Sequence, residues 1–150
     1  MPDDGGKAPS AAKVEALYQE LILDHYRRPR NRRALADATA EATLRNPLCG
    51  DEVTMRVRLD GDVVADAAYA GQGCSISQAA ASMLTEAVRG RTRAGAAALL
   101  ADYAAMLADR HRPAEQLPPG DLRALSGVAR FPARVRCGMM AAEALGRALE

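Results

Sequence analysis

Tryptophan is absent from this chain, and aromatic residues make up only 3% of its 150 positions. A core without large rings has to be filled by Leu, Val, Met and Ala, which suits closely packed helices. No apolar run approaches the ~20 residues needed to cross a bilayer, so no membrane partner is expected. The opening Met1-Pro2-Asp3-Asp4-Gly5-Gly6 lacks the basic and apolar regions of a secretory signal, and a cytoplasmic, reducing location is expected. An excess of either charge is also missing, with 20 basic residues against 19 acidic ones. A nucleic-acid binder usually carries a clear basic excess and readout elements. Neither is present, so nucleic acid is not an expected partner. Arg27, Arg28, Arg30, Arg32 and Arg33 read instead as a solvated helix end able to steer an acidic protein.

Cysteine is scarce as well, and the three present cannot pair completely within one molecule. Cys49 lies in Asn46-Pro47-Leu48-Cys49-Gly50-Asp51, Cys74 in Gly71-Gln72-Gly73-Cys74-Ser75, and Cys137 in Phe131-Pro132-Ala133-Arg134-Val135-Arg136-Cys137. Three thiolates and the Asp51 carboxylate are a donor set for four-coordinate zinc. In a non-secreted chain such cysteines point to metal binding or catalysis rather than disulfides. Taken singly, Cys74 or Cys137 reads as a small buried hydrophobe. That reading is weak for Cys49, which is flanked by Gly50 and Asp51 in a polar turn. Gly71-Gln72-Gly73 lacks the lysine of a phosphate loop, so its glycines are expected to turn the backbone sharply into Cys74. His25 is expected to be a core or capping residue, His111 to be exposed, and Asp60 and Asp62 to be solvated turn residues. No Ser-His-Asp set is recognisable.

Residues 1–10 read as a disordered tail, and 11–150 as one domain of suitable length. Val14, Leu17, Tyr18, Leu21, Ile22 and His25 fall on one helical face, which Pro29 stops. Residues 30–41 read as a loop. Val53, Met55, Val57 and Leu59 then alternate with polar residues, Asp60-Gly61 marks a hairpin, and Val63 to Tyr69 returns. Thr39 to Arg45 is a weaker third strand. After Cys74 a helical stripe runs from Ile76 to Val88, and Thr92 caps another helix carrying Leu99, Leu100, Tyr103, Met106 and Leu107. Arg110 to Gly120 reads as a proline-bearing loop. Asp121 is expected to cap a short helix over Leu122 to Ser126, ended by Gly127. Pro132 opens a last helix running to Leu149. The expected class is α+β, a small antiparallel sheet of two or three strands with helices packed on one face. Each ligand candidate falls at the end of an element, and residues i and i+2 of an extended segment, such as Cys49 and Asp51, point to one side. Helix N-termini and nearby arginines favour the thiolate form.

Leu17-Tyr18 through Asp24-His25-Tyr26, Pro29-Arg30-Asn31, Asn46-Pro47 before Cys49-Gly50-Asp51, and Gly73-Cys74-Ser75-Ile76-Ser77 together resemble the IscU/NifU-N family of iron–sulfur assembly proteins. The resemblance runs from about residue 14 to residue 149, and implies a three-stranded sheet with helices on one side. Arg136 stands where scaffold members carry histidine, and the stretch from Cys74 to Cys137 is longer than in scaffolds. Both features make the chain similar to the SufU branch. The resemblance implies a zinc-dependent sulfurtransferase serving a PLP-dependent cysteine desulfurase of the SufS type, with Suf-type assembly proteins downstream. It implies Cys49, Asp51, Cys74 and Cys137 as zinc ligands, Cys49 as the persulfide carrier, and Arg134 as a functional arginine. A scaffold holding iron or a [2Fe–2S] cluster on the same ligands is the alternative, and a zinc-stapled interaction domain a weaker third. Three thiolates, one carboxylate and Zn²⁺ sum to −2, so nearby cations are expected, and Arg134 and Arg136 are placed to supply them.

Overall fold

The computed structural model describes residues 10–48 and 50–150, so the expected tail lies outside it apart from Ser10. Ser10 caps helix α1 (Ala11–Arg27) by accepting the Lys13 amide at 3.2 Å. The sequence places six residues of this helix on one core face, yet only His25 is fully buried and Leu17 is 59% exposed. The reason is placement. Helix α1 packs on helix α2 (Ser75–Val88) and on a 3₁₀ segment, Gly120–Arg130, and does not lie against the sheet. Tyr18, Leu21 and Ile22 are therefore only partly covered.

Three antiparallel strands follow as a meander: β1 (Ala40–Asn46), β2 (Asp51–Asp60) and β3 (Val63–Gln72), with β2 in the middle. The alternation in β2 is the sequence pattern made visible. Val53, Met55 and Val57 are fully buried, while Thr54, Arg56 and Arg58 point to the other, polar face. On that face the Thr43 and Thr54 hydroxyls bond at 2.6 Å, and Arg45 pairs with Glu52. Asp60 and Val63 pair across the expected Asp60-Gly61 turn, and a register shift at Arg58/Leu59 bends the hairpin. Helix α4 (Pro132–Ala148) covers β1 and β2, helix α2 packs against β3, and helix α3 (Arg93–Ala108) packs on α4. The expected α+β class with helices on one face is the fold observed.

Caps fall where the sequence sets them, with one exception. Thr92 accepts the Gly95 amide at 3.0 Å, and Pro132 opens α4. Asp121 does not cap a short helix. Its region is the eleven-residue 3₁₀ segment Gly120–Arg130 with no side-chain cap. The Asp121 carboxylate is drawn instead to His25 Nε2 at 2.8 Å, while His25 Nδ1 meets the Ser82 hydroxyl at 2.7 Å. The structure thus assembles a serine, a histidine and an aspartate that sequence spacing did not reveal. Ser82 is fully buried and also accepts the Arg30 amide at 2.8 Å, so the set cross-links elements rather than presenting a nucleophile. The arginine cluster stays solvated, with Arg27, Arg28, Arg32 and Arg33 exposed, and is pinned by polar partners. Arg28 and Arg30 both pair with Asp24, Arg33 with Asp66, and Arg32 donates to the Gly71 carbonyl. Asn31, with a φ of 64°, accepts the Tyr69 amide and so anchors the 30–39 loop to β3.

Candidate metal centre

Helix α2 begins at a cysteine. Cys74 is the N-cap, with extended backbone, and its Sγ accepts the Ser77 amide at 3.5 Å. A helix N-terminus leaves amides unsatisfied, and a sulfur carrying negative charge suits that end. The Cys74 amide in turn donates to Asp51 Oδ1 at 3.2 Å. Asp51 is the first residue of β2, paired with Asn46 of β1, and is 3% exposed. The turn between them closes with the Gly50 amide on the Asn46 carbonyl at 2.8 Å.

Gly73 makes this approach possible. It has a φ of 147°, which side chains rarely adopt, and a Cβ there would lie 2.3 Å from Asp51 Oδ1. The absent side chain is the space the carboxylate fills. Gly71 allows a second close approach, since a Cβ there would lie 2.4 Å from the Glu52 carbonyl oxygen.

Cys137 arrives from the opening turns of α4. It is half-buried, and its Sγ lies 3.8 Å from the Ala133 carbonyl. One ligand atom each from Asp51, Cys74 and Cys137 all fall within 4.8 Å of one another. Burial first, then the neighbouring Cys74 and Asp51, pushes the Cys137 thiol up to about 12. Grouping three groups that ionise to anions makes each charge costly to form, and a divalent cation among them reverses that cost. Asp51 Oδ2 carries the same message, because it is buried and has no hydrogen-bond partner among the described residues. A buried carboxylate oxygen left unpaired is expensive, and a metal ion would satisfy it. Thiolates with one carboxylate fit zinc or an iron–sulfur cluster.

Of the four expected ligands, Asp51, Cys74 and Cys137 are brought together. Cys49 lies outside the described residues, and its neighbours Leu48 and Gly50 are exposed. Arg134 is exposed, with its guanidinium 5.8 Å from the Phe131 ring centroid, where Arg130 also packs at 5.9 Å. Among the described residues no hydrogen bond or ion pair links Arg134 to the three ligands. It lines, with Phe131, Ser75, Ile76, Val14 and Tyr18, an open groove of about 690 Å³ beside the centre. Arg136 is exposed. Sequence reading missed the two polar residues that follow the cysteine cap, Ser77 and Gln78, which are buried against it. The available signal was polarity at positions of an alanine-rich helix that is buried nearly all round.

The chain is 39% identical over 134 residues to the zinc-dependent sulfurtransferase SufU of Bacillus subtilis, covering 89% of this chain and 90% of that one. It is 37% identical over 139 residues to the iron–sulfur cluster assembly scaffold protein IscU of Streptococcus pyogenes, covering 93% and 86%. A crystal structure from the thermophile Fervidobacterium islandicum, described as a candidate iron–sulfur cluster assembly scaffold protein for the SUF system, superposes with a TM-score of 0.80. That match is at 27% identity and covers 94% of this chain and all of the other. The profile of the NifU-like N-terminal domain matches residues 17–150, nearly the whole of the fold that carries Asp51, Cys74 and Cys137 to one point, and the chain belongs to that family.

Proposed function

We propose that this chain accepts persulfide sulfur from a PLP-dependent, SufS-type cysteine desulfurase and passes it on in iron–sulfur cluster assembly. Zinc is held by Asp51, Cys74 and Cys137 together with Cys49. The observation that carries the reading is the convergence of Asp51, Cys74 and Cys137 from three separate elements, with Asp51 Oδ2 buried and unpartnered among the described residues. Bound zinc would keep these thiols deprotonated while contributing no redox chemistry of its own.

In the transfer step Cys49, as thiolate, attacks the terminal sulfur of the partner's cysteine persulfide. A sulfur–sulfur bond forms at Cys49 as the partner's own bond breaks, and the partner's cysteine leaves as thiolate. No electrons are gained or lost overall, as in thiol–disulfide exchange. Arg134, one helical turn before Cys137, supplies a permanent positive charge near this traffic. The exposed apolar side chains beside the centre, Leu48 at 88% and Phe131 at 52%, suit a docking face for the desulfurase. Among the described residues no helix is long and apolar enough to cross a membrane. In this reading the transfer takes place in the cytoplasm, with Suf-type assembly proteins downstream.

The 37% identity to a scaffold protein favours a second reading, in which the same ligands hold a [2Fe–2S] cluster. Metal analysis and a visible spectrum of protein purified without oxygen separate the two. One zinc per colourless chain supports the relay, and a brown protein with iron and sulfide supports the scaffold. After reaction with desulfurase and cysteine, the peptide containing Cys49 should gain the mass of one sulfur atom. A gain confined to Cys74 or Cys137 refutes Cys49 as acceptor.

A further inference from the structure

The first turn of α2 contains two buried polar side chains that the proposed chemistry leaves unused. Ser77 is fully buried and Gln78 is 6% exposed. Most other buried positions of this helix are alanine or aliphatic, so a hydroxyl and an amide there need a reason. The Ser77 hydroxyl donates to the Cys74 carbonyl at 3.1 Å and accepts from Gln78 Nε2 at 3.3 Å. The same Cys74 carbonyl accepts the Gln78 amide at 3.2 Å, and Cys74 Sγ lies 3.9 Å from Ser77 Oγ. Ser77 Oγ is also 2.9 Å from the point a Cβ on Gly73 would occupy. It therefore packs into the same close approach that seats Asp51.

Cys74 is thus held at its amide by Asp51, at its carbonyl by the Ser77 side chain and the Gln78 amide, and at its sulfur by the Ser77 amide. Among the described residues, Cys137 Sγ has one backbone partner, the Ala133 carbonyl at 3.8 Å, and its other neighbours are the fellow ligands Cys74 and Asp51. Resting on the reading that a metal ion occupies this centre, we infer that Ser77, supported by Gln78, is a positioning residue that fixes Cys74 as the immobile ligand. Asp51 and Cys74 form the rigid half of the centre. Ser77 and Gln78 are neutral, so they orient the sulfur without adding a cation that would compete with the metal. Partners of this kind change metal affinity by about 10–100-fold when removed.

The test uses the full chain and Zn²⁺, with affinity and release rate read by competition with a chromophoric chelator. Melting of the zinc-free protein is followed in parallel. Wild-type uptake is measured first, and failure to bind zinc overturns the metal reading and this inference with it. Given uptake, Ser77→Ala should bind zinc about tenfold more weakly or worse and release it faster. The loss should exceed any change in zinc-free melting. Gln78→Met, which keeps the hydroxyl but removes its donor, should fall between the two. A role confined to folding would lower zinc-free and zinc-loaded melting equally and leave the competition curve unmoved, and that result overturns the inference. If Ser77→Ala does not fold, Gln78→Met decides the matter by the same comparison.

Discussion

A methyl group at Gly73 is the smallest change that should dismantle the centre. Two costs add. The φ of 147° is one that side chains rarely adopt, which costs about 1–3 kcal/mol. The new Cβ would also sit 2.3 Å from Asp51 Oδ1, 2.6 Å from its Cγ and 2.9 Å from Ser77 Oγ, where ordinary contact begins at 3.4 Å. Asp51 must then retreat by about 1 Å, whereas ligand distances in a working metal site hold to about 0.2 Å. Gly73→Ala should therefore lower zinc affinity at least tenfold, or about 1.4 kcal/mol. Gly90→Ala is the control. Gly90 has a φ of 83° with nothing within 4 Å of its Cβ position, so only strain of about 1–2 kcal/mol applies. That variant should melt lower by about 2–4 °C per kcal/mol and bind zinc normally. Chelator competition and thermal melting of both variants make the comparison. If Gly73→Ala binds zinc as tightly as Gly90→Ala, Asp51 is not seated by this cradle and the assignment of the centre is wrong.

Arg134→Ala should keep fold and zinc but lose most sulfur transfer from the desulfurase. Arg130→Ala, which removes an exposed pair with Glu15 at 2.9 Å, should stay active. Equal activity of the two variants would reduce Arg134 to a surface charge on Phe131. His25→Phe keeps a ring but removes the imidazole from the buried Ser82 hydroxyl, leaving it the Arg30 amide, and should cost about 1–3 kcal/mol without changing zinc affinity; an unchanged urea midpoint refutes the cross-link. Because the zinc-free fold raises the Cys137 thiol from 9.0 to about 12, it binds this proton more tightly than the unfolded chain. That stabilisation is complete below pH 9 and is lost as pH rises toward 12. The urea midpoint of zinc-free protein should fall as pH rises from 9 toward 12 more steeply for wild type than for Cys137→Ser; parallel curves refute the shift.

Local signals in the sequence determined most of the secondary structure of this protein. The period-two run through Val53, Met55 and Val57, the Asp60-Gly61 turn, Thr92 as a cap and Pro132 at a helix start each act within a few residues of themselves. Their physics is complete before the chain folds. The donor types of the centre were legible for the same reason, since only three cysteines exist and each sits at a junction marked by glycine or arginine. Tertiary structure alone decided what depends on distant neighbours. Leu17 repeats with the core residues of α1 but stays exposed, because that helix meets α2 and the 3₁₀ segment and not the sheet. Asp121 has the composition of a cap, but its carboxylate is taken by His25, 96 residues earlier. Ser77 bonds to Cys74 within one turn of its own helix, but its place beside Asp51 depends on a strand from a distant part of the chain. Contacts between distant elements are set by packing in three dimensions, and no periodicity in the chain records them.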